Sequence, residues 1–188
     1  MTAHVRLRSV RRPEPGRRTA HQRLWAPWRT AYLTRVKSPG RGRCVFCVAK
    51  RSTADRRHHV VARGRRVFAI LNLYPYNNGH LMIAPYRHIG TLRDVQTAEW
   101  NEMLAMLQRL TARLARTLHP QGFNLGVNLG RIAGAGIPGH LHLHLVPRWQ
   151  GDTNFMPVVG DTKVVSQSLD ELYALLTRPT RSWRLTRH

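Results

Sequence analysis

Apolar residues recur along the chain at two periods. In TAEWNEMLAMLQRLTARLARTL (97–118) they follow helical spacing, with Trp100, Met103, Leu104, Leu107, Leu110, Leu114 and Leu118 on one stripe. Thr97 is a candidate N-cap, and His119-Pro120-Gln121-Gly122 ends the helix. Shorter stretches, VVARG (60–64), RVFAILN (66–72), HLMIAP (80–85) and FNLGVNL (123–129), are dense in apolar and β-branched residues and read as strands. YPYNNG (74–79) is a turn, its Asn-Gly pair favouring positive backbone dihedrals. GHLHLHLVPRW (139–149) opens with strict alternation and predicts another strand. In SLDELYALLTR, Ser168 and Glu171 form a capping box for a short helix. QRLWAPWRTAYL (22–33) has a helical apolar pattern, and SPGRGR (38–43) is a loop. The order β-β-β, long helix, β-β, short helix predicts an α+β domain built on an antiparallel sheet.

Composition sets the outer limits. A chain of 188 residues with 42% hydrophobic content can bury one core and carry extensions. No apolar run approaches the roughly 20 residues of a membrane span. The N-terminus lacks the apolar segment of a secretory signal. The two cysteines form a single C-x-x-C pair, which is no disulfide framework. A cytoplasmic protein with no membrane association is expected.

The net charge of +22 is unevenly placed: residues 1–66 hold 19 of the 31 Lys and Arg against only Glu14 and Asp55. Residues 1–20 are therefore read as a disordered basic arm, with 21–177 as the folded domain and 178–188 as a basic tail. Such an arm would bind nucleic acid weakly, without sequence preference and with steep salt dependence. A bias toward Arg on solvated surface explains the charge equally well. Few aromatics lie among these arginines, which argues against a base-stacking platform.

The histidine run carries the candidate chemistry. On a strand, His140, His142 and His144 share one face and Leu141, Leu143 and Leu145 the other, with neighbouring histidines roughly 7 Å apart. Three imidazoles so placed could hold a metal, divide catalytic roles or line a polar face. Just upstream lies a glycine-rich loop, GRIAGAGIPG (130–139), of the kind that lets backbone approach a phosphate. Beside such a loop a neutral imidazole is a candidate nucleophile, because it attacks phosphorus without first losing a proton. Cys44-Val45-Phe46-Cys47 on its own could be redox-active, metal-binding or two unpaired thiols, and His58 and His59 read as loop residues.

HLHLHLV matches the alternating signature of the histidine triad (HIT) superfamily of nucleotidyl hydrolases and transferases. FAILNLYPYNNGHLMIAPYRH (68–88) resembles that family's nucleotide-binding strand pair. RLWAPWRTAYL, GVNLGRIAGAG and VPRWQGDTNFMPV resemble its bacterial diadenosine tetraphosphate phosphorylase branch. The resemblance implies cleavage of dinucleoside polyphosphates through a nucleotidyl-histidine, by a homodimer, with phosphate as a second substrate and no organic cofactor. His142 would be the nucleophile and His144 would assist the leaving oxygen. Asn72 would contact the ribose, His80 and Asn128 the base and phosphates, and Gly134, Gly136 and Trp149 would line the nucleotide site.

Some members of the superfamily also hold a structural zinc. The matching residues here are Cys44, Cys47, His88 and His140, an S₂N₂ set suited to tetrahedral zinc. Where some phosphorylase relatives carry Ser in the phosphate loop, this chain has Ala135-Gly136-Ile137, which leaves water open as acceptor in place of phosphate. Hydrolysis of dinucleotides or nucleoside phosphoramidates is thus one alternative, and a nucleic-acid-binding HIT-fold protein another.

Overall fold

The computed structural model describes residues 44–152 and 166–179. The basic arm, the segment 22–33, residues 153–165 and nearly all of the C-terminal tail lie outside them. The described elements are α1 (Val45–Arg51), β1 (Val60–Arg63), β2 (Val67–Leu71), β3 (Leu81–Pro85), a 3-10 turn (Leu92–Asp94), α2 (Thr97–Leu118), β4 (Gly122–Val127), β5 (Leu143–Arg148) and α3 (Leu169–Thr177). The sheet order is β1-β2-β3-β5-β4, with every neighbouring pair antiparallel, as the α+β reading expects.

Two apolar layers sandwich the sheet. Val67, Ala69, Leu71, Leu81, Ile83, Leu143 and Leu145 face α2 and α3, meeting Met103, Met106, Leu110, Leu114, Leu172 and Leu176. Phe68, Ile70, Met82 and Ala84 face the other way and pack with Phe46 and Ala49 of α1. Covered on both sides, β2 and β3 read as continuous apolar runs instead of alternating ones. Arg63 of β1 holds α1 against the sheet: its Nη2 donates to the Ala49 and Ser52 carbonyls at 2.9 and 2.8 Å and to Asp55 Oδ1 at 2.7 Å. Those carbonyls are among the ones a helix end leaves without partners.

Two details of α2 differ from the sequence reading. Its N-cap is Gln96, whose backbone N–H donates to Glu99 Oε2 at 2.9 Å, and Thr97 is the first helical residue. Met106 is buried where Leu104 was expected, Leu104 being 50% exposed. Leu104 lies about 100° around the helix from Met103, off the line that Met103, Met106, Leu110 and Leu114 share. The capping box of α3 forms as read: Ser168 Oγ accepts from the Glu171 N–H at 3.2 Å, and Glu171 Oε2 accepts from the Ser168 N–H at 3.0 Å.

The β2–β3 turn closes at Gly79, with φ +74°, where a Cβ would lie 2.7 Å from Leu118 Cδ1 and 3.2 Å from Leu114 Cδ2. Neither the dihedral nor the space suits a side chain. Gly79→Ala is expected to cost about 2 kcal/mol, read as a lower denaturant midpoint at unchanged slope. An unmoved midpoint would show that α2 yields to the extra methyl.

Candidate active site

The ladder of β5 begins only at Leu143, so the histidine run straddles a loop and a strand. Alternation still holds: Leu141, Leu143 and Leu145 all join the layer under α2 and α3. The histidines take the opposite face, and there the rings of His142 and His144 converge to 4.8 Å between centroids. His140, His142 and His144 are 0, 5 and 6% exposed, which excludes a solvated polar face. Burial pushes His140 and His144 down to about 4 and holds His142 below its usual value. All three are neutral at pH 7.

Their hydrogen-bond partners then assign the protons. The backbone N–H of Tyr76 donates to His80 Nδ1 at 2.9 Å, so His80 carries its proton on Nε2. That proton is donated to His144 Nδ1 at 2.8 Å, which puts the His144 proton on its own Nε2. His144 Nε2 is buried and has no partner among the described residues, an N–H donor waiting for an acceptor. His142 is set the other way round. Its Nδ1–H donates to the His140 carbonyl at 2.8 Å, leaving Nε2 as a free lone pair. A nucleophilic nitrogen and a proton donor thus stand side by side.

Both rings line a cavity of about 630 Å³. Val45, Ile70, Met82 and Ile137 supply apolar wall, Asn72 sits at the end of β2, and Gly134 and Gly136 border the histidines. A Cβ on Gly136 would meet nothing within 4 Å, so its backbone faces open space. The N–H groups of Gly134 and Ala135 are spent inside the loop, on the carbonyls of Arg131 and Gly130 at 2.9 and 3.1 Å. They do not point at a ligand, which narrows the phosphate cradle expected of this loop.

A second cluster lies behind the first. Single ligand atoms of Cys44, Cys47, His88 and His140 lie within 4.8 Å of one another. Cys44 Sγ is 3.3 Å from His140 Nδ1, Cys47 Sγ is 3.3 Å from His88 Nδ1 and 3.7 Å from His140 Nδ1, and the two Nδ1 atoms are 3.2 Å apart. Tetrahedral zinc, with bonds of about 2.0–2.1 Å to N and 2.3 Å to S, requires ligand separations of roughly 3.3–3.8 Å. The donor set fits a metal ion in kind, and the four separations of 3.2–3.7 Å fall within about 0.1 Å of that range. His140 Nε2 donates to the Pro85 carbonyl at 2.9 Å, which fixes the tautomer that turns Nδ1 inward, as metal-binding histidines require. Burial pushes the Cys44 thiol up against the opposing hydrogen bond of the Cys47 backbone, so a cation would have to draw the proton off.

Residues 53–151, which contain the whole histidine run, match the HIT domain family. The chain belongs to the HIT family. It is 42% identical over 166 residues to the AP-4-A phosphorylase of Mycobacterium tuberculosis, covering 86% of this chain and 85% of that one. It is 27% identical over 124 residues to the asymmetrical bis(5'-nucleosyl)-tetraphosphatase of Schizosaccharomyces pombe, covering 62 and 68% of the two chains. Among solved structures, a Zn-bound histidine triad family protein from Mycobacterium smegmatis aligns with a TM-score of 0.56 and 28% identity, over 71% of this chain and 90% of that one.

Within this HIT fold the catalytic and nucleotide-site residues expected from sequence fall into three groups. His142, His144, Asn72, Gly134 and Gly136 line the cavity. His80 and Asn128 stand back from its wall: His80, 1% exposed, lies behind His144, and Asn128 Nδ2 donates to the Tyr76 hydroxyl and the Gly134 carbonyl, both at 3.3 Å. Trp149 lies apart, beside a polar cavity lined by Asn77, Asp152 and Gln167. Asn72 also serves the turn, its Oδ1 accepting from the Tyr74 N–H at 2.9 Å. His58 and His59 form a turn, as read, and border the cavity at the β1 end. Sequence reasoning missed Phe46 and Tyr76. Phe46 packs on His140 and His142, and Tyr76 stacks over His144 at 5.5 Å.

Proposed function

We propose that this protein cleaves dinucleoside polyphosphates, diadenosine tetraphosphate first among them, through a nucleotidyl-histidine at His142. The observation that carries the reading is the opposed proton placement on His142 and His144 at the wall of one cavity. His142 Nε2 attacks the α-phosphorus, and the bond from phosphorus to the bridging oxygen breaks. The departing ATP oxygen takes the proton from His144 Nε2. The His140 carbonyl accepts the hydrogen bond of the Nδ1–H that becomes cationic in the adduct. Inorganic phosphate then attacks the same phosphorus, returns a proton to His144 Nε2 and frees Nε2 of His142, giving ADP.

Water in place of phosphate would give AMP and make the protein a hydrolase. The phosphorylase version is favoured by 42% identity to a protein bearing that name. In Cys44, Cys47, His88 and His140 we read a structural zinc site, closed because all four positions are protein ligands. Two cysteines held for a metal instead of a disulfide suit a reducing compartment, taken to be the cytoplasm. The assembly we infer is a homodimer; Leu125 on the open edge strand β4 and Ile132 beyond it are 54 and 101% exposed, apolar surface that a second copy could cover. To the arginine-rich residues 1–20 we assign weak, salt-sensitive polyanion binding that the chemistry does not need.

The test is product analysis. With labelled diadenosine tetraphosphate and phosphate, ATP and ADP are expected in equal amounts, and ATP with AMP when phosphate is withheld. AMP under both conditions would establish the hydrolase. No turnover under either, in folded zinc-loaded protein, would remove the enzymatic reading.

A further inference from the structure

The C-x-x-C turn that supplies two members of the metal cluster also carries Phe46, which is wholly buried. Its ring centroid lies 4.9 Å from those of both His140 and His142, at tilts of 42° and 38°. Phe68 closes behind it edge-on at 6.3 Å, and Phe68 is itself stacked on Tyr86 at 5.1 Å. Packed interiors resist small displacements, so Phe46 shifts only if the turn that carries it shifts. His142 is held less firmly. One hydrogen bond, from Nδ1 to the His140 carbonyl at 2.8 Å, fixes one edge of the ring. Its orientation about that bond depends on what packs against it, which is Phe46 and the ring of His144 at 4.8 Å. Both the carbonyl and Phe46 lead back to the cluster: the carbonyl belongs to His140, and Phe46 lies between Cys44 and Cys47.

We propose that Phe46 is a positioning residue for His142, and that the cysteine–histidine cluster governs the chemical step through it. The proposal rests on His142 being the nucleophile. Helix α1 has seven residues, and Cys44 at its N-cap makes no side-chain capping bond. Metal bonds to Cys44 and Cys47 would fix both ends of its first turn and press the aromatic ring against the imidazole, with Nε2 aimed into the cavity. Without those bonds the first turn keeps only its packing, since the Arg63 hydrogen bonds hold the far end of α1, and the imidazole gains rotational freedom. Misalignment of reacting atoms by an ångström costs about 100-fold in rate. Phe46 is absent from the cavity wall, so substrate binding has no direct reason to change.

Phe46→Leu and Phe46→Met keep apolar volume and discard the flat ring. In the full-length chain, zinc content should stay at about one ion and KM within about threefold of the parent, while adenylyl-His142 forms some 30- to 100-fold more slowly in single turnover. Ring-nitrogen NMR signals of His142 should broaden in these variants. Chelating the zinc from the parent should slow adduct formation and broaden the same signals. In Phe46→Leu, chelation should add little further loss, because both changes act through one contact. A folded Phe46→Leu protein that forms the adduct within about twofold of the parent overturns the proposal. So does a loss carried by KM instead of the rate, and so do two slowdowns that simply multiply. If the parent forms no adduct, the nucleophile reading fails instead, and the His142 ring signals still decide whether Phe46 holds the ring.

Discussion

His142→Ala is expected to lower turnover of diadenosine tetraphosphate by roughly four to six orders of magnitude, the scale seen when a covalent nucleophile is removed. The fold should survive, because the lost ring faces the cavity and Phe46, while the leucines on either side of it keep the main core. Labelled substrate should trap an acid-labile adduct on the parent and none on the variant. His144→Ala should cost less, about 10²–10⁴-fold, since it withdraws one proton donor and leaves the attacking lone pair in place. A fully active His142→Ala protein would end the covalent mechanism.

The next largest effect belongs to the cluster behind the triad. Cys47→Ser removes the sulfur that lies 3.3 Å from His88 Nδ1 and 3.7 Å from His140 Nδ1. It should abolish tight zinc binding and lower Tm by roughly 10 °C, because metal affinity at such a site is also folding energy. The chemical step should fall by no more than about 100-fold, far less than in His142→Ala, because a closed site offers the substrate no open coordination position. Metal analysis of reduced parent protein together with a thermal melt checks both halves. Protein free of zinc with an unchanged melt would return the cysteines to ordinary thiols. Complete loss of turnover on chelation, at an undiminished Tm, would make the ion catalytic and displace His142 from its role.

Much of this architecture is legible in the order of residues, for reasons that differ by element. Strands β2 and β3 announce themselves because both faces are buried, so no polar residue interrupts them. The histidine run is legible because its alternation is a property of extended backbone and survives where the ladder stops, at Leu143. What the sequence hides is depth. Leu104 and Met106 are alike as apolar helical residues, and only the direction of the sheet beneath α2 decides which is covered. His80 hides in another way: the motif marks it as functional, but its place behind His144 depends on the register Met82↔His144 between β3 and β5. Phe46 is hidden by its neighbours, since an apolar residue inside C-x-x-C reads as spacer until helix α1 is docked on the sheet.

The Tyr76 amide has a consequence for what sequence can encode here. It is the first donor in the line that reaches His144 Nε2, and it belongs to the main chain. The instruction that orients two imidazoles is therefore written chiefly in the backbone, seconded by Asn72 Nδ2 at 3.3 Å from the same nitrogen, and any amino acid at position 76 can transmit its share except proline, which has no N–H to give. Drift at this position could replace the aromatic ring without reversing the proton's direction, whereas a single exchange to proline would leave the longer Asn72 contact to hold that direction alone, with every histidine in place.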